Sequence, residues 1–572
     1  MFKQIFTGVI LIIILTTTIA SQKLNKDNSV FAETIYGPNE GFRHKTRNGI
    51  ESNVFLGIPY AKPPIKGLRF ERPIPPQKWN ETLQTKQFQP SCIPYNWQSV
   101  QNKDFSEDCL YLNIIAPTVP SEDLEGYPVL VYIHGGGFVF GDVVKCGFDK
   151  ATDNFARRGL ITVTVPYRLG LYGFMSLGTA EDPGNIGLWD QIAALKFIKE
   201  NIKYFGGNPN NIIVWGESAG SASVDLLSLS PHSRDLFQKV IQGSGCGINE
   251  FANSQPVTRV TKQLAKALGC NGTMPSEIKE CLKNQTWYSI MNVSSTQFIP
   301  DKAYPNYIGF GPRYDKDFFD GKTVEQLIKE APPKPLIVGL MTLEGAAFTG
   351  LTGSSPEDLA KFSAKNITEA IRKSFAPESI VGPEFEEIQK DLINYFVYQN
   401  APEKPVSDFY IKRYADLWSD FLINQEVFNE TDLKVKNGWP VYFYLWNHMS
   451  SPVQATLPAA KGAWHATELY YTFDQKTFSE DVHGEAEYKV QNYYANIFAK
   501  FAYTGMPNTT EIKFPQYNLE TKESLWIDPI LSINKGFLND RRKFWEKHIE
   551  KFKFNILRGR TRQEIINGSS LD

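Results

Sequence analysis

Ser218 stands in Gly216-Glu217-Ser218-Ala219-Gly220, directly after the apolar run Ile212-Ile213-Val214-Trp215 and before the small-residue stretch Ser221 to Leu227. That order reads as strand, sharp turn and helix, an arrangement that would hold a serine hydroxyl at the apex of the turn, open to a substrate. By itself the five-residue pattern also fits an ordinary serine in a glycine-bounded loop. A serine hydroxyl is a poor nucleophile at neutral pH. Chemistry at Ser218 therefore requires a base, usually histidine, and an acid that fixes the tautomer of that base.

Seven histidines are available. His465 lies in Gly462-Ala463-Trp464-His465-Ala466-Thr467-Glu468-Leu469, a glycine-preceded loop entering a helix. Its late position suits the order serine, acid, histidine. His448 closes an apolar run and reads as structural. His44 falls in an early strand region, His134 abuts a glycine run and His232 follows Pro231, while His483 and His548 sit among charged residues and read as solvated. The acid belongs on a loop directly after a core strand. Leu336-Ile337-Val338-Gly339-Leu340-Met341-Thr342-Leu343-Glu344 offers Glu344 there. Alone it would pass for a solvated loop charge, but its place between Ser218 and His465 puts each group on a different strand-end loop of one sheet. A developing oxyanion needs donors as well. His134-Gly135-Gly136-Gly137-Phe138 follows another apolar run. The backbone N–H groups of Gly136, Gly137 and Ala219 would together form a three-donor hole.

The elements that must position these groups follow from the apolar runs. Val129 to Ile133, Ile161 to Val165, Ile212 to Trp215, Val240 to Gln242, Leu336 to Val338 and Val441 to Leu445 are short and β-branched or aromatic, as strands buried on both faces are. Helical patterns at Leu188 to Asn201, Val257 to Leu268, Val324 to Lys329, Asp408 to Phe428 and Glu487 to Phe501 alternate with them. The expected fold is α/β: a mostly parallel twisted sheet with helices on both faces. Ser29 to Ile35 and Asn53 to Pro59 suggest a small antiparallel sheet at its amino-terminal entrance. One domain is expected over 21–552, with a helical insertion at about 339–440 that roofs the site, and a polar tail over 553–572.

The 60 basic and 62 acidic residues nearly cancel. That balance offers no footprint for nucleic acid or an anionic membrane and suits a small neutral substrate. Lys3, the apolar stretch Ile5 to Leu15 and Thr18-Ile19-Ala20 read as a signal peptide cut after Ala20, shorter than the roughly 20 apolar residues of a bilayer span. The final residues, Gly568 to Asp572, carry neither an ER-retention tetrapeptide nor a hydrophobic tail, so secretion is the expectation. Sequons begin at Asn80, Asn271, Asn284, Asn292, Asn366, Asn429, Asn508 and Asn567, in keeping with a glycosylated surface. Cys92 with Cys109 and Cys270 with Cys281 each enclose a polar loop and read as local staples. Six cysteines leave many pairings open, and Cys146 and Cys246 read as buried free thiols.

Two longer stretches carry a family resemblance. Phe205-Gly206-Gly207-Asn208-Pro209-Asn210-Asn211, continuing through Gly216-Glu217-Ser218-Ala219-Gly220, resembles the serine signature of the type-B carboxylesterases, cholinesterase-like members of the α/β-hydrolase superfamily. Glu107-Asp108-Cys109-Leu110-Tyr111-Leu112-Asn113 resembles their second signature, and the likeness extends over nearly the whole mature chain. Ser218 to Gln238 looks most like the invertebrate, nematode gut-type branch. The resemblance implies the α/β-hydrolase fold, Ser218 as nucleophile, Glu344 as acid, His465 as base, and Gly136, Gly137 and Ala219 as oxyanion donors. It also implies disulfides Cys92–Cys109 and Cys270–Cys281, and ion pairs Arg69–Glu107 and Arg168–Asp190.

Trp97 does not fall at the spacing of the choline-binding tryptophan of acetylcholinesterases, and reads as a packed loop aromatic. Glu217 differs from the glutamine that juvenile hormone esterases carry before the serine. The sequence thus points to a secreted serine carboxylesterase acting on small-molecule esters, with no metal or cofactor, no nucleic acid and no stable membrane insertion; a homodimer is compatible with this reading. The alternatives are a cholinesterase and, from another class, a non-catalytic adhesion module of the same fold.

Overall fold

The computed structural model describes residues 28–254, 256–296, 309–475 and 484–558. The expected signal peptide, His483, and residues 559–572 of the expected tail lie outside the described residues. A sheet of thirteen strands forms the middle of the molecule. Its labelled strands are β1 (Ser29–Thr34), β2 (Gly37–Lys45), β3 (Glu51–Pro59), β4 (Tyr111–Pro117), β5 (Tyr127–Ile133), β6 (Ile161–Val165), β7 (Gly207–Glu217), β8 (Lys239–Gly243), β9 (Leu336–Met341), β10 (Val441–Trp446), β11 (Glu523–Ile527) and β12 (Ser532–Lys535). They lie in the order β1-β2-β3-β4-β6-β5-β7-β8-β9-β10-β11-β12, and the short strand Leu83–Gln84 pairs beside β2. From β6 to β11 every neighbouring pair is parallel. The early strands are antiparallel and continue the same sheet at its amino-terminal edge, through β4 onto β6.

Parallel strands need crossover helices, and those helices bury both faces of the sheet. Accordingly every residue of β5, β6, β9 and β10 is buried. The helices include α1 (Ile186–Asn201), α2 (Ala219–Leu229), α3 (Val257–Ala267) and α4 (Val324–Glu330). Between β9 and β10 the chain is helical, with α5 (Phe385–Ile393), α6 (Ser407–Ser419) and α7 (Gln425–Lys436); α8 (Glu485–Thr504) and α9 (Asn539–Phe552) come later. The helix expected over 408–428 is thus longer, and it is interrupted by a π-turn at Asp420–Asn424.

The register sets Gly216 beside Ile133 and Glu217 beside Gly243, so that β5, β7 and β8 end at one level. Loops leaving those carboxyl ends share a crevice, the usual ligand position of an open parallel sheet. A separate apolar cluster, including Leu343, Ala346, Ala415 and Trp464, knits α6 to the segments that carry Glu344 and His465.

Polar pins complete the frame. Asp190, inside α1, takes both Nε and Nη2 of Arg168 at 2.8 and 2.7 Å in full burial. Glu107 receives a two-pronged contact from Arg69, whose Nη1 also donates to the carbonyls of Lys283 and Gln285. Disulfides join Cys92 to Cys109 and Cys270 to Cys281, while Cys146 and Cys246 are buried thiols.

Two expectations need correction. His548 is not solvated: it is 2% exposed, its Nδ1 lies 2.6 Å from Asp391 Oδ2, and it packs among Phe544, Trp545 and Phe552. One face of α9, with Trp545, His548 and Phe552, turns inward among many charged neighbours. Residues 553–558 do not begin a polar tail either, because Phe554, Ile556 and Leu557 join the main core.

Candidate active site

β7 ends in the turn that carries Ser218. A Cβ on Gly216 would lie 2.1 Å from the Gly220 carbonyl oxygen, and one on Gly220 would lie 2.0 Å from that of Ile133. Glycine is required at both positions because backbone passes backbone with no room for a side chain. The unusual backbone angles fall on the serine itself, with φ 58° and ψ −124°. Such strain persists only where neighbours over-determine it; here the Ser218 N–H is held by the Gly243 carbonyl at 2.8 Å. Ala219 opens α2, so its N–H belongs to the first helical turn, where no helical carbonyl is in reach as an acceptor. Gly136 and Gly137, just beyond β5, both have positive φ.

Glu344 follows β9 and is completely buried. Three donors converge on its carboxylate. Oε2 lies 2.7 Å from His465 Nδ1, while Oε1 accepts from the Ser244 hydroxyl at 2.6 Å and from the Met341 N–H at 2.7 Å. A carboxylate on Nδ1 places the imidazole proton there and leaves Nε2 as the basic nitrogen. Ser218, His465, Gly136 and Gly137 line one cavity of about 460 Å³. Phe251, Phe348, Trp418, Leu422 and Ile423 give it apolar surface, and Gln101, Asp142, Lys145 and Gln475 give it a polar part. A serine hydroxyl, an oriented imidazole and strand-end N–H groups around a largely apolar cavity can together attack and stabilise an acyl carbonyl.

Glu217 adds a second buried carboxyl. Its Oε1 is 3.3 Å from His465 Nε2 but makes no hydrogen bond. Burial, and secondarily the Glu344 charge, raises its pKa well above the carboxyl range. The unfolded chain ionises this group at the ordinary carboxyl pKa, whereas the folded chain keeps it neutral to higher pH. Stability attributable to Glu217 is therefore complete in acid and lost as the pH climbs from the ordinary value toward the raised one. Glu217→Gln is expected to raise the thermal midpoint, and more at pH 8 than at pH 5; calorimetry at both pH values checks the difference.

Among the described residues His134 also lines the cavity, whereas His44, His232, His448 and His548 do not. Burial lowers the pKa of His134, whose ring stacks on Tyr167 and whose Nδ1 meets the Gly135 carbonyl. His448 lies 3.5 Å from both Glu487 and Asp528. Trp97 packs edge-on against Phe105, Trp287 and Tyr288 and takes no part in the cavity.

Pattern reading missed Ser244 and Glu217 as neighbours of the acid and the base. Ser244 had a signal, since it directly follows a core strand just as Glu344 does. The apolar lining from α6 and the π-turn had none, because its approach to the sheet is a matter of helix packing.

The carboxylesterase family matches residues 26–545. Gut esterase 1 of Caenorhabditis briggsae is 34% identical over 538 residues, covering 92% of this chain and 93% of the relative. Gut esterase 1 of Caenorhabditis elegans is 35% identical over 541 residues, covering 92% and 94%. Esterase cest-33 of the same nematode is 32% identical over 508 residues, covering 85% and 88%. With a parallel sheet, a strand–serine–helix turn and an acid-bound histidine at one cavity, the chain belongs to the carboxylesterase family and is a carboxylic ester hydrolase.

Proposed function

We propose that the protein hydrolyses small carboxylic esters through an acyl-enzyme on Ser218. His465 takes the Ser218 proton as the hydroxyl oxygen attacks the ester carbonyl, and the oxyanion forms against the N–H groups of Gly136, Gly137 and Ala219. The alcohol leaves with the proton held by His465. Water, activated by the same imidazole, then attacks the acyl carbonyl and frees Ser218. Glu344 accepts from His465 Nδ1, fixing its orientation and stabilising the imidazolium. The observation that carries this reading is the 2.7 Å contact of Glu344 with His465 Nδ1, on an imidazole that shares its cavity with Ser218.

The reading includes a single catalytic domain reaching the secretory pathway, with the first twenty residues removed. Two disulfides and exposed sequon asparagines at 80, 271, 284, 366, 429 and 508 support that compartment. Among the described residues no helix is long and apolar enough to cross a membrane.

Reaction with a small organophosphate tests the site directly. The expected result is a single phosphoryl adduct on the peptide containing Ser218, seen by mass spectrometry, with parallel loss of nitrophenyl ester hydrolysis. A protein that takes no adduct would instead be a binding module of the same fold.

A further inference from the structure

The roof of the cavity contains a local irregularity with its own set of supports. α6 runs into α7 through the π-turn Asp420–Asn424, where the helix widens. Leu422 and Ile423 of that turn, with Trp418 just before it, line the cavity. The turn is not self-sufficient: both polar side-chain atoms of the fully buried Asn424 lack partners. Its position depends on holds from three other segments.

The first hold comes from α9. Arg541 bonds the Asp416 and Asp420 carboxylates and the Asp416 carbonyl, and Trp545 Nε1 donates to Asp420 at 3.0 Å. The second comes from the residue after the buried acid. The Gly345 N–H donates to Ser419 Oγ at 2.7 Å, and a Cβ on Gly345 would lie 2.2 Å from the Ala415 carbonyl oxygen.

The third hold acts on the lining residues themselves. Asn249, 1% exposed, donates from Nδ2 to the carbonyls of Leu422 at 2.8 Å and Ile423 at 3.2 Å, while its Oδ1 accepts the Cys246 N–H at 2.7 Å. Asn249 lies on the loop after β8 whose Ser244 bonds Glu344. One short loop thus fixes both the acid and the cavity wall.

We propose that Asn249 is a positioning residue for acyl-chain length: by anchoring the Leu422 and Ile423 carbonyls it holds the apolar wall at a fixed depth, so that the cavity favours esters of short acyl chains over long ones. The hydrocarbon of the acyl group is the part of an ester that gains from an apolar wall, whereas Gln101 and Lys145 suit a hydrogen-bonding alcohol. Removing the anchor leaves two carbonyls and one N–H without their side-chain partner, and the wall can then yield to a longer chain. This proposal rests on Ser218 being the nucleophile.

The test compares kcat/KM for nitrophenyl acetate, butyrate and octanoate in the wild type, Asn249→Ala and Asn249→Ser, alongside the rate of Ser218 labelling by a small diethyl organophosphate. Asn249→Ala is expected to raise the octanoate-to-acetate ratio by about tenfold, the scale on which pocket fit discriminates hydrocarbon length. Asn249→Ser, which keeps a shorter donor, should give a smaller rise and covers the case in which the alanine variant does not fold. Labelling by the small reagent should fall by no more than acetate hydrolysis in either variant, because both report the shared loop that also holds Glu344. An unchanged chain-length ratio, or an equal fall of all three esters and of labelling, overturns the proposal. Failure of the nucleophile assignment would look different, because the wild type itself would then take no label.

Discussion

Alanine at position 218 is expected to lower kcat for nitrophenyl butyrate by about 10⁶-fold, the scale on which removal of a triad nucleophile acts. The reason is the division of labour at the site. His465 is oriented through Nδ1 by a carboxylate that is itself held by Ser244 and Met341. That machinery can withdraw a proton, but without the hydroxyl it has nothing to withdraw one from except water. Residual catalysis would come from substrate binding and from the N–H groups of Gly136, Gly137 and Ala219. The substitution should leave the fold intact. Ser218 is held at φ 58° by its backbone bond to Gly243, which alanine keeps. Spectrophotometric turnover of purified protein, with circular dichroism to confirm folding, checks the prediction; activity within about tenfold of wild type would contradict it.

Lys434→Met is expected to destabilise the protein by about 3–5 kcal/mol, the usual consequence of removing one member of a buried ionic group. Lys434, on α7, contacts Asp225 of α2 and lies 2.8 Å from Glu430, and all three side chains are almost fully buried. Burial opposes the Lys434 charge, but the two carboxylates more than offset it and raise its pKa. Burial first, and the Asp225 charge second, raise the Glu430 carboxyl. Lys434 is thus the single cation between two buried acidic side chains, one of which burial pushes up in pKa. Methionine would leave the Asp225 carboxyl group in the core without its counter-charge, with the Gly247 N–H still donating to it at 2.7 Å. Urea denaturation followed by fluorescence measures the loss. Adding Asp225→Asn and Glu430→Gln to the same chain should restore most of it, because neutral amides need no counter-charge. If the triple variant were no more stable than Lys434→Met, the loss would trace to packing rather than to the stranded charge.

Much of the fold was legible because strand signals in a parallel sheet are local. Val129 to Ile133 and Ile161 to Val165 are free of charge and rich in β-branched side chains, as strands covered on both faces are, and both are fully buried. Glu344 and His465 could be chosen from sequence because each occupies a loop whose position follows from chain order. His548 was misread for the converse reason. Lys547, Glu550 and Lys551 beside it mask a helical stripe in which Phe544, Trp545 and Phe552 share its face, and the docking of α9 buries that face and sets His548 Nδ1 against Asp391 of α5. Residues 553–558 were misread in the same way, since Phe554, Ile556 and Leu557 gain a partner surface only after α9 has docked.

The sequence by itself determined the glycine-bounded turn at Ser218, the chain order of Ser218, Glu344 and His465, the glycine run beyond β5 and the alternating architecture that brings them to one crevice. These are matters of local backbone chemistry and chain order. Tertiary structure alone decided what surrounds them: Ser244 against Glu344, Glu217 buried beside His465 with its pKa raised by burial, and a π-turn whose lining residues are anchored by Asn249. Such contacts join residues a hundred or more positions apart, on elements whose relative placement is set by packing rather than by any pattern along the chain.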